Sequence, residues 1–332
     1  MNILIIGAGR MGIRHLQGAL KSKHCRQVTI LDINPDALAE ARTASQDDPR
    51  LSTKLVTEFQ AEPMDVCIIA STAKNRRPLI DLAAACGCKW LMIEKPLGQS
   101  LNEVKELITY TDSLPLTTVV NLNMRLYEPV RALKADLCTV PQMQGEKTIT
   151  INTGTLGIGC NGIHYLDKVF FFLDADRAEI VAAEIDERII PSGRGSDFGD
   201  FGGWAVIKFY QKENYVGKLM ISMAADSPVF GSWEIVAPFA RIVIDEIAAT
   251  RRTILRKIDS TMPIYRYAAD FEEQPIQKYE APFLGDLTTQ WLDGLSNGVN
   301  LLPELAESFK AHQLMFEWLS YSKTYKEIFP IT

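Results

Sequence analysis

The sequence predicts an α/β protein with two domains. Residues 1–121 are expected to form a doubly wound parallel sheet, and residues 122–332 an α+β domain with a large, mostly antiparallel sheet. In the first part, short and fully apolar runs alternate with helix-like segments, which is typical of parallel strands covered on both faces. After residue 121, apolar and polar residues alternate with period two, which indicates strands that bury one face.

In the first domain, the strands are predicted at residues 3–6, 28–31, 66–70, 90–93 and 117–121, and helices at 10–20 and 78–86. Asn34 is predicted to cap a further helix that has Pro35 at its first position. Gly87 is predicted to end the helix over 78–86.

In the second domain, helices are predicted over 127–137 and 162–173, the end from about 285 to 323 is predicted to be helical again, and strands are predicted at 147–153, 204–210, 215–223, 232–238 and 241–247. The last helices are expected to pack back across both domains, with the active site between the domains. Residues 190–203, IPSGRGSDFGDFGG, predict a long glycine-rich loop, and such loops are often functional. Arg194 in this loop is a candidate for holding an anionic substrate, although a solvated loop charge is the commoner case.

Composition and charge exclude several classes of protein. The 332 residues carry a formal net charge of −6, with 47% hydrophobic and 23% charged residues, which is ordinary globular composition. A nucleic-acid surface needs clustered Lys and Arg, so we expect no nucleic-acid partner. No apolar run approaches the roughly 20 residues of a membrane span, so we expect no membrane association.

The six cysteines are scattered, and only Cys86 and Cys88 are closely spaced. Because no second pair or histidine cluster completes a zinc site, we expect no metal. Cys67 lies in an apolar run and is predicted to be a small buried residue. Residue 1 leads directly into a strand, which leaves no room for a signal peptide. These features predict a cytoplasmic protein.

The strands of the second domain carry more apolar positions than one covered sheet face requires. An exposed apolar face of this size marks an interface, so we expect a homodimer or a homotetramer joined through the sheet. The positions are Ile149, Ile151, Val206, Phe209, Leu219, Ile221, Ile235 and Val236.

A dinucleotide site of the Rossmann type is predicted at the turn after the first strand. Residues 7–12, GAGRMG, fit G-x-G-x-x-G between a strand and a helix. Gly7 permits the tight turn, Gly9 lets the backbone approach a pyrophosphate, and Gly12 permits close packing of the helix on the strand. The backbone at Arg10 and Met11, at the start of the helix, is expected to face the phosphates.

Asp32 stands at the end of the second strand, twenty residues after Gly12. A carboxylate at this place accepts hydrogen bonds from the ribose hydroxyls of NAD and repels the 2′-phosphate of NADP. The alternative is an Asp that caps the next helix. The strand, the spacing and the acid together favour NAD, with NADP the less favoured cofactor.

A second motif, Glu94-Lys95-Pro96, follows a buried strand. Ligands of parallel sheets bind outside such carboxyl ends, and a lysine beside a nicotinamide cation has reason to titrate low enough for proton transfer. A simple Glu–Lys pair at a strand end is the alternative interpretation.

These motifs together resemble the Gfo/Idh/MocA family of NAD(P)-dependent oxidoreductases, named for glucose–fructose oxidoreductase and inositol dehydrogenase. The resemblance covers nearly the whole chain, and E-K-P followed by H-x-x-D after such a turn is a fairly specific combination. It is carried by the GAGRMG turn, by residues 68–97 up to E-K-P, by NLNMRLYEPVRALK at 121–134 and by GCNGIHYLD at 159–167.

The resemblance implies roles for particular residues. Lys95 takes part in cofactor and substrate binding and in proton transfer, His164 acts as an acid, a base or a substrate ligand, and Asp167 is the acid of H-x-x-D. A satisfied core histidine is the alternative for His164. We further expect cofactor contacts from Ser71, Thr72 and Glu94, and substrate contacts from Asn123, Arg125 and Asn161. Asn121 and Asn123 follow the last strand of the first domain, where asparagines more often satisfy turn backbone.

One departure from the family pattern bears on the chemistry. The family's catalytic Asp usually precedes the His by four residues, and this chain has Cys160 there, followed by Asn161. A thiol is a weak proton donor or acceptor near neutral pH unless its pKa is lowered, and an amide does not titrate. A second departure is Arg77, where the family often has a His. The usual proton relay is therefore not assumed.

The favoured function is an NAD-dependent oxidoreductase that transfers hydride between the nicotinamide and a hydroxyl or carbonyl of a sugar, a sugar derivative or a polyol. The substrate class follows from the resemblance alone. Two alternatives stay open: a dinucleotide-binding sensor or regulatory protein with altered chemistry, and an enzyme that uses tightly bound NAD without net redox change.

Overall fold

The computed structural model describes residues 1–154, 156–191, 198–224, 226–264 and 270–324. It divides into two compact units. The first comprises Met1–Tyr127 and Pro282–Phe309, and the second comprises Glu128–Ala281 and the residues from Lys310 onward. Arg194 lies outside the described residues.

The elements are numbered in chain order. The helices are α1 (Arg10–Lys21), α2 (Pro35–Ala44), α3 (Arg77–Ala85), α4 (Leu101–Asp112), α5 (Glu128–Thr139), α6 (Ile163–Leu173), α7 (Leu284–Ser296) and α8 (Leu305–Leu319). The strands are β1 (Asn2–Ile6), β2 (Gln27–Asp32), β3 (Leu51–Leu55), β4 (Val66–Ile69), β5 (Trp90–Ile93), β6 (Thr117–Val120), β7 (Lys147–Thr153), β8 (Arg177–Pro191), β9 (Gly199–Gln211), β10 (Asn214–Met223), β11 (Ser232–Ala237), β12 (Ala240–Asp245), β13 (Thr250–Arg256), β14 (Phe271–Glu273) and β15 (Gln277–Lys278).

The first unit is built on a six-stranded parallel sheet in the order β3-β2-β1-β4-β5-β6. This is the strand order of a doubly wound dinucleotide-binding sheet, and it confirms the predicted fold class. The order reverses beside β1, between β1 and β4, so the ends of these strands define the switch point where such sheets bind ligands.

Two predicted helix boundaries in the first unit are confirmed. The Asn34 side chain accepts a hydrogen bond from the Asp36 N–H at 2.9 Å, so Asn34 caps α2 with Pro35 as its first residue. Gly87 follows α3 with φ +69°, a left-handed conformation that glycine adopts without strain.

Helix α7 packs against α1 within the first unit. A Cβ on Gly18 would lie 2.0 Å from the Gly285 carbonyl oxygen, so the two helices approach at backbone distance. Thr289 Oγ1 donates to the Gly18 carbonyl at 2.8 Å, and the indole of Trp291 is fully buried in the same core. Residues 282–309 therefore complete the core that the first 127 residues begin.

The second unit contains a nine-stranded sheet in the order β14-β13-β12-β11-β7-β10-β9-β8, with β15 paired to β13. Among the described strands of this second sheet, only β7 and β10 pair in parallel, so the predicted mostly antiparallel sheet is confirmed. Helix α6 lies against β9 and β10 on one face of the sheet.

The structure corrects the observation on which the predicted interface rests, namely that the strands of the second domain have too many apolar residues for one buried face. Six of the eight apolar positions lie on a single buried face, because alternate residues of a strand point to the same side: Ile149, Ile151, Phe209, Leu219, Ile221 and Ile235. Val206 and Val236 lie on the opposite face, with Trp204 and Met220, and Val236 is 44% exposed there. The outward face is thus less apolar than the sequence indicated.

The predicted glycine-rich loop over 190–203 is shorter than expected. Strand β8 continues to Pro191 and β9 begins at Gly199, and Ile190 pairs with Asp200 across the two strands. A Cβ on Gly203 would lie 2.3 Å from the Glu184 carbonyl oxygen, so glycine here permits close pairing in a bulged ladder. Part of the glycine-rich sequence is therefore strand.

Within the described residues, no helix is long and apolar enough to cross a membrane. All six cysteines are free thiols; Cys67 is buried as predicted, together with Cys25, Cys86 and Cys88. The part of the chain that the structure describes contains no cluster of three or more His, Cys, Asp or Glu residues arranged to hold a metal ion.

Candidate functional site

The GAGRMG turn between β1 and α1 has the geometry that its glycines predict. Gly7 has φ +105°, and its N–H donates to the Leu31 carbonyl at 2.8 Å. A Cβ on Gly12 would lie 1.8 Å from the Gly7 carbonyl oxygen, which no side chain can occupy. The first and third glycines of the motif are therefore required by the turn itself.

Gly9 differs from the other two glycines because its surroundings are open. A Cβ on Gly9 would meet nothing within 4 Å. Gly9 precedes α1, whose start has no side-chain cap among the described residues and no acidic residue in its first turn. Free backbone N–H groups and a positive helix end are what a pyrophosphate needs, so the residues present fit a dinucleotide at this turn. Arg10 is exposed and Met11 is half-buried beside it.

The Asp32 carboxylate is fixed by two backbone bonds. Oδ2 accepts from the Ala8 N–H at 2.6 Å and Oδ1 accepts from the Asn34 N–H at 2.9 Å. Because Asn34 is the cap of α2, the alternative of Asp32 as helix cap is wrong. Each carboxylate oxygen keeps a second acceptor site, so the half-buried group still fits ribose hydroxyls.

Arg76 links the loop after β4 to the E-K-P motif. Its buried guanidinium donates to the carbonyls of Ser71 at 3.1 Å, Thr72 at 3.3 Å and Pro96 at 2.6 Å. Ser71 and Thr72, the predicted cofactor contacts, are themselves half-buried. Arg76 thus holds these two loops together, a role that the sequence analysis did not assign.

Glu94 is a buried anion held by protein groups. Its Oε1 atom lies 2.9 Å from His15 Nε2 and accepts from Asn121 Nδ2 at 2.7 Å, and the side chain is 2% exposed. Burial raises the pKa of Glu94. The hydrogen bond and charge of His15, the charge of Lys95 and the Asn121 bond outweigh this and lower the pKa to about 2. Glu94 is therefore ionised at every ordinary pH.

The remaining candidates of the first unit follow the ends of β5 and β6. Lys95 is 8% exposed, and Asn123 and Arg125 are also buried. Arg125 Nη1 lies 2.5 Å from Glu307 Oε1, so part of its guanidinium is engaged by a carboxylate. The structure therefore groups these three residues in the first unit, and their assignment to substrate stays a prediction.

The candidates of the second unit lie around the start of α6. A π-helical turn, Ile158–Gly162, leads directly into this helix, and it carries Cys160 and Asn161, both half-buried. His164 and Asp167 are buried one turn further on. The Asp200 carboxylate accepts backbone N–H groups of this turn, at Gly159 and Cys160.

Lys168, a buried residue of α6, lies in a network of polar and aromatic side chains. The Lys168 ammonium lies 3.9 Å from the Trp233 ring centre and 3.3 Å from Glu246 Oε1. Glu246 also accepts from the Tyr165 hydroxyl at 2.7 Å and from Trp233 Nε1 at 3.1 Å. Burial lowers the pKa of Lys168, and the Glu246 charge opposes this shift.

Among the residues of these groups that the sequence analysis did not single out are His15, Arg76 and Asp200. His15 lies inside the predicted helix over 10–20, and Arg77, which the sequence analysis named, stacks its guanidinium 4.1 Å from the centre of the Tyr110 ring. Asp200 lies inside the glycine-rich segment that the sequence singled out. An acid in such a segment was the available signal for it.

The glycine turn, the open start of α1 and the anchored Asp32 define the first unit as a dinucleotide-binding Rossmann domain. Residues 1–122 match the sequence model of the Gfo/Idh/MocA family, described as an oxidoreductase family with an NAD-binding Rossmann fold. Residues 1–122 therefore match the NAD-binding Rossmann domain of this oxidoreductase family, which confirms the predicted resemblance for this part of the chain.

Solved structures share the fold over nearly the whole chain. An oxidoreductase from Agrobacterium radiobacter in complex with NAD⁺, L-tartaric acid and magnesium is 18% identical with a TM-score of 0.71, covering 98% of this chain and 96% of that one. Levoglucosan dehydrogenase in complex with NADH and levoglucosan is 15% identical with a TM-score of 0.72, covering 97% of each chain. A putative myo-inositol dehydrogenase from Sinorhizobium meliloti 1021 is 14% identical with a TM-score of 0.69, covering 97% of each chain. Curated protein sequences give no match.

Proposed function

We propose that the protein is an NAD-dependent dehydrogenase or reductase that acts on a hydroxyl or carbonyl group of a sugar, a sugar derivative or a polyol. The observation that carries the proposal lies in the first unit. Lys95 directly follows the anchored Glu94 at the carboxyl ends of the parallel strands, the edge of the sheet at which Gly9 leaves the backbone open. Ligands of doubly wound sheets bind at this edge.

The residues that would hold the cofactor are the backbone of the 7–12 turn and the Asp32 carboxylate. Bound there, the nicotinamide supplies a hydride acceptor or donor. The negative charge of Asp32 favours NAD, because a 2′-phosphate beside it would be repelled. The Arg76 bonds to Ser71 and Thr72 hold the neighbouring loop in place.

Lys95 is assigned the proton chemistry. When a hydroxyl is oxidised, its proton leaves to the Lys95 amine, and the ammonium then stabilises the negative oxygen that develops. His164 is assigned an assisting role as acid, base or substrate ligand. Cys160 is assigned no relay, since a neutral thiol transfers protons poorly.

The substrate class is supported by the similar structures, one of them a levoglucosan dehydrogenase and another a putative myo-inositol dehydrogenase. A polyhydroxylated substrate needs several hydrogen-bonding side chains. Asn123, Arg125 and Asn161 are the side chains assigned to this task, in addition to Lys95 and His164.

A second function is favoured by Cys160 alone. A thiol in place of the expected carboxylate fits a protein that binds the dinucleotide as a sensor; an enzyme that keeps NAD bound through a reaction without net redox change is a separate alternative. Lys95 and His164 are both present in the chain, and this favours the dehydrogenase.

The test is a screen of sugars, polyols and sugar nucleotides with NAD⁺ and NADH, following the absorbance of the reduced cofactor. Turnover with one of them supports the dehydrogenase. Tight NADH binding without turnover of any compound supports the sensor, and NAD that copurifies and exchanges slowly supports the reaction without net redox change.

The assembly is proposed to be a homodimer or homotetramer in the cytoplasm. The outward face of the second sheet supports the assembly, because Trp204, Val206, Met220 and Val236 give it an apolar part within a polar surround. The six free thiols support a reducing compartment. A monomer in sedimentation at micromolar concentration would contradict the proposed assembly.

A further inference from the structure

The turn that starts the helix carrying His164 is capped by a side chain from strand β9. The Gly159 N–H donates to Asp200 Oδ1 at 3.0 Å, and the Cys160 N–H donates to Asp200 Oδ2 at 2.8 Å. Asp200 lies in β9, 40 residues after Cys160 in the chain, and only 3% of it is exposed. Its Oδ1 atom also accepts from the Phe201 N–H at 2.8 Å.

These bonds satisfy a requirement of every helix start. The first N–H groups of a helix have no partners inside the helix, and a local Ser, Thr, Asp or Asn usually accepts from them. The residue at this position is Gly157, which has no side chain to offer. A carboxylate is the strongest replacement, because its charge also complements the positive end of the helix.

Gly157 and Asp200 fit each other closely. A Cβ on Gly157 would lie 2.2 Å from Asp200 Cγ and 2.4 Å from Asp200 Oδ1. The carboxylate therefore occupies the space that any other residue at position 157 would need. This contact makes Gly157→Ala a second way to displace the carboxylate while leaving Asp200 in the chain.

We infer that Asp200 is a positioning residue, whose buried carboxylate caps the turn from a distance and thereby fixes Asn161 and His164 for substrate binding. Asn161 lies next to a bonded N–H group, and His164 lies in the next turn of the same helix. The inference rests on the proposed function for its kinetic part only.

The first test needs no substrate. Asp200→Asn keeps the shape but offers one oxygen, and its amide nitrogen then faces an N–H donor. Hydrogen–deuterium exchange at Gly159 and Cys160 is expected to rise by about tenfold or more, as local opening becomes easier. Asp176→Asn is the control, since the Asp176 carboxylate accepts the Lys212 N–H at 2.8 Å in an exposed turn of the same unit.

Gly157→Ala keeps the test decisive if Asp200→Asn folds poorly, because it is expected to give the same rise in exchange. The double variant is expected to be no worse than the more affected single variant, since both remove one interaction. Unchanged exchange in Asp200→Asn, or effects that add in the double variant, would overturn the inference.

The kinetic test uses the substrate found in the screen. In Asp200→Asn, KM for that substrate is expected to rise about tenfold, while the Kd of NADH stays the same. A general loss of stability would instead lower the active fraction and leave KM unchanged, and that result would also overturn the inference. If the wild type turns over nothing, the proposed function fails, and the exchange experiment alone decides on the cap.

Discussion

His15 Nε2 lies 2.9 Å from Glu94 Oε1, and His15 Nδ1 lies 2.8 Å from Thr288 Oγ1. The buried imidazole of His15 in α1 therefore contacts both Glu94, the residue before Lys95, and helix α7. Because Glu94 is adjacent to Lys95, the same contact that stabilises the domain holds the backbone of the proposed catalytic residue.

Glu94 is expected to make stability depend on pH in the acid range. Its pKa is about 2 in the folded protein against an ordinary 4.5. The stabilisation is thus complete above about pH 4.5 and is lost as the pH falls towards about 2, on the order of 3 kcal/mol in all. Urea unfolding of the wild type and Glu94→Gln is expected to differ more at pH 7 than near pH 3.

The matched control is Glu106→Gln, which changes an exposed glutamate of α4 in the same unit. It is expected to change the free energy of unfolding by less than about 0.5 kcal/mol. A difference between wild type and Glu94→Gln that stays constant from pH 7 to pH 3 would contradict the assigned role of this carboxylate.

Asp32 is expected to determine the choice of cofactor. The wild type is expected to bind NAD(H) at least about tenfold more tightly than NADP(H), which corresponds to about 1.4 kcal/mol. Asp32→Ala is expected to erase the preference without unfolding the protein, although it removes the acceptor of the Ala8 and Asn34 N–H groups. Calorimetric titration measures the affinity for both cofactors. Tighter binding of NADP(H) than of NAD(H) by the wild type would contradict the role assigned to Asp32.

Lys95 is expected to carry the chemistry. Lys95→Met keeps most of the length and removes the charge and the proton, so turnover is expected to fall by roughly 10² to 10⁴. NAD affinity is expected to change much less, because the pyrophosphate contacts lie at residues 7–12. Steady-state kinetics and NADH binding together check both statements.

Two further variants serve as a control and a comparison for Lys95→Met. Lys89→Met removes an exposed lysine just before β5 and is expected to leave turnover unchanged. Cys160→Ala is expected to cost less than about tenfold, since a neutral thiol is a poor relay. Near-normal turnover of Lys95→Met would refute the mechanism, and a more damaging Cys160→Ala would make Cys160 a participant.

Removing the carboxylate alone from the buried pair of Lys168 and Glu246 is expected to cost more stability than removing both charges. Glu246→Gln leaves the ammonium between Tyr165 and Trp233 without its anion, so stability is expected to fall by about 3 kcal/mol or more. Adding Lys168→Met to Glu246→Gln is expected to restore part of that loss. Thermal or urea unfolding of the single and double variants measures it, with Lys208→Met, an exposed lysine of β9, as the control. A double variant less stable than Glu246→Gln would contradict the assignment.

The sequence predicts the first sheet well because buried parallel strands are continuous apolar runs, as at Trp90–Ile93. The sequence did not predict β3, an edge strand whose two leucines lie at its ends with three polar residues between them, and which is half-buried throughout. Helix α4 was also missed, although Ser100 accepts the Glu103 N–H and Glu103 accepts the Gln99 N–H, a capping pattern readable in the sequence.

The candidate residues that the sequence singles out are those whose signal is local in the chain. The glycine turn, Asp32 and Lys95 each stand in a short motif whose spacing carries the meaning. Asp200 and His15 act on partners far away in the chain, at Cys160 and Glu94, and no spacing rule connects such positions. The same holds for the outward sheet face, since which residues face outward depends on the strand register and on which side α6 covers.

The return of residues 282–309 to the first unit has a consequence for synthesis on the ribosome. The first 127 residues are translated before α7, the helix that covers α1 in the folded unit. Until α7 is translated, His15 lacks Thr288, and the backbone at Gly18 lacks Gly285. The apolar face of α1 therefore stays without its cover until residues 128–283 have also been translated, and such a surface invites chaperone binding.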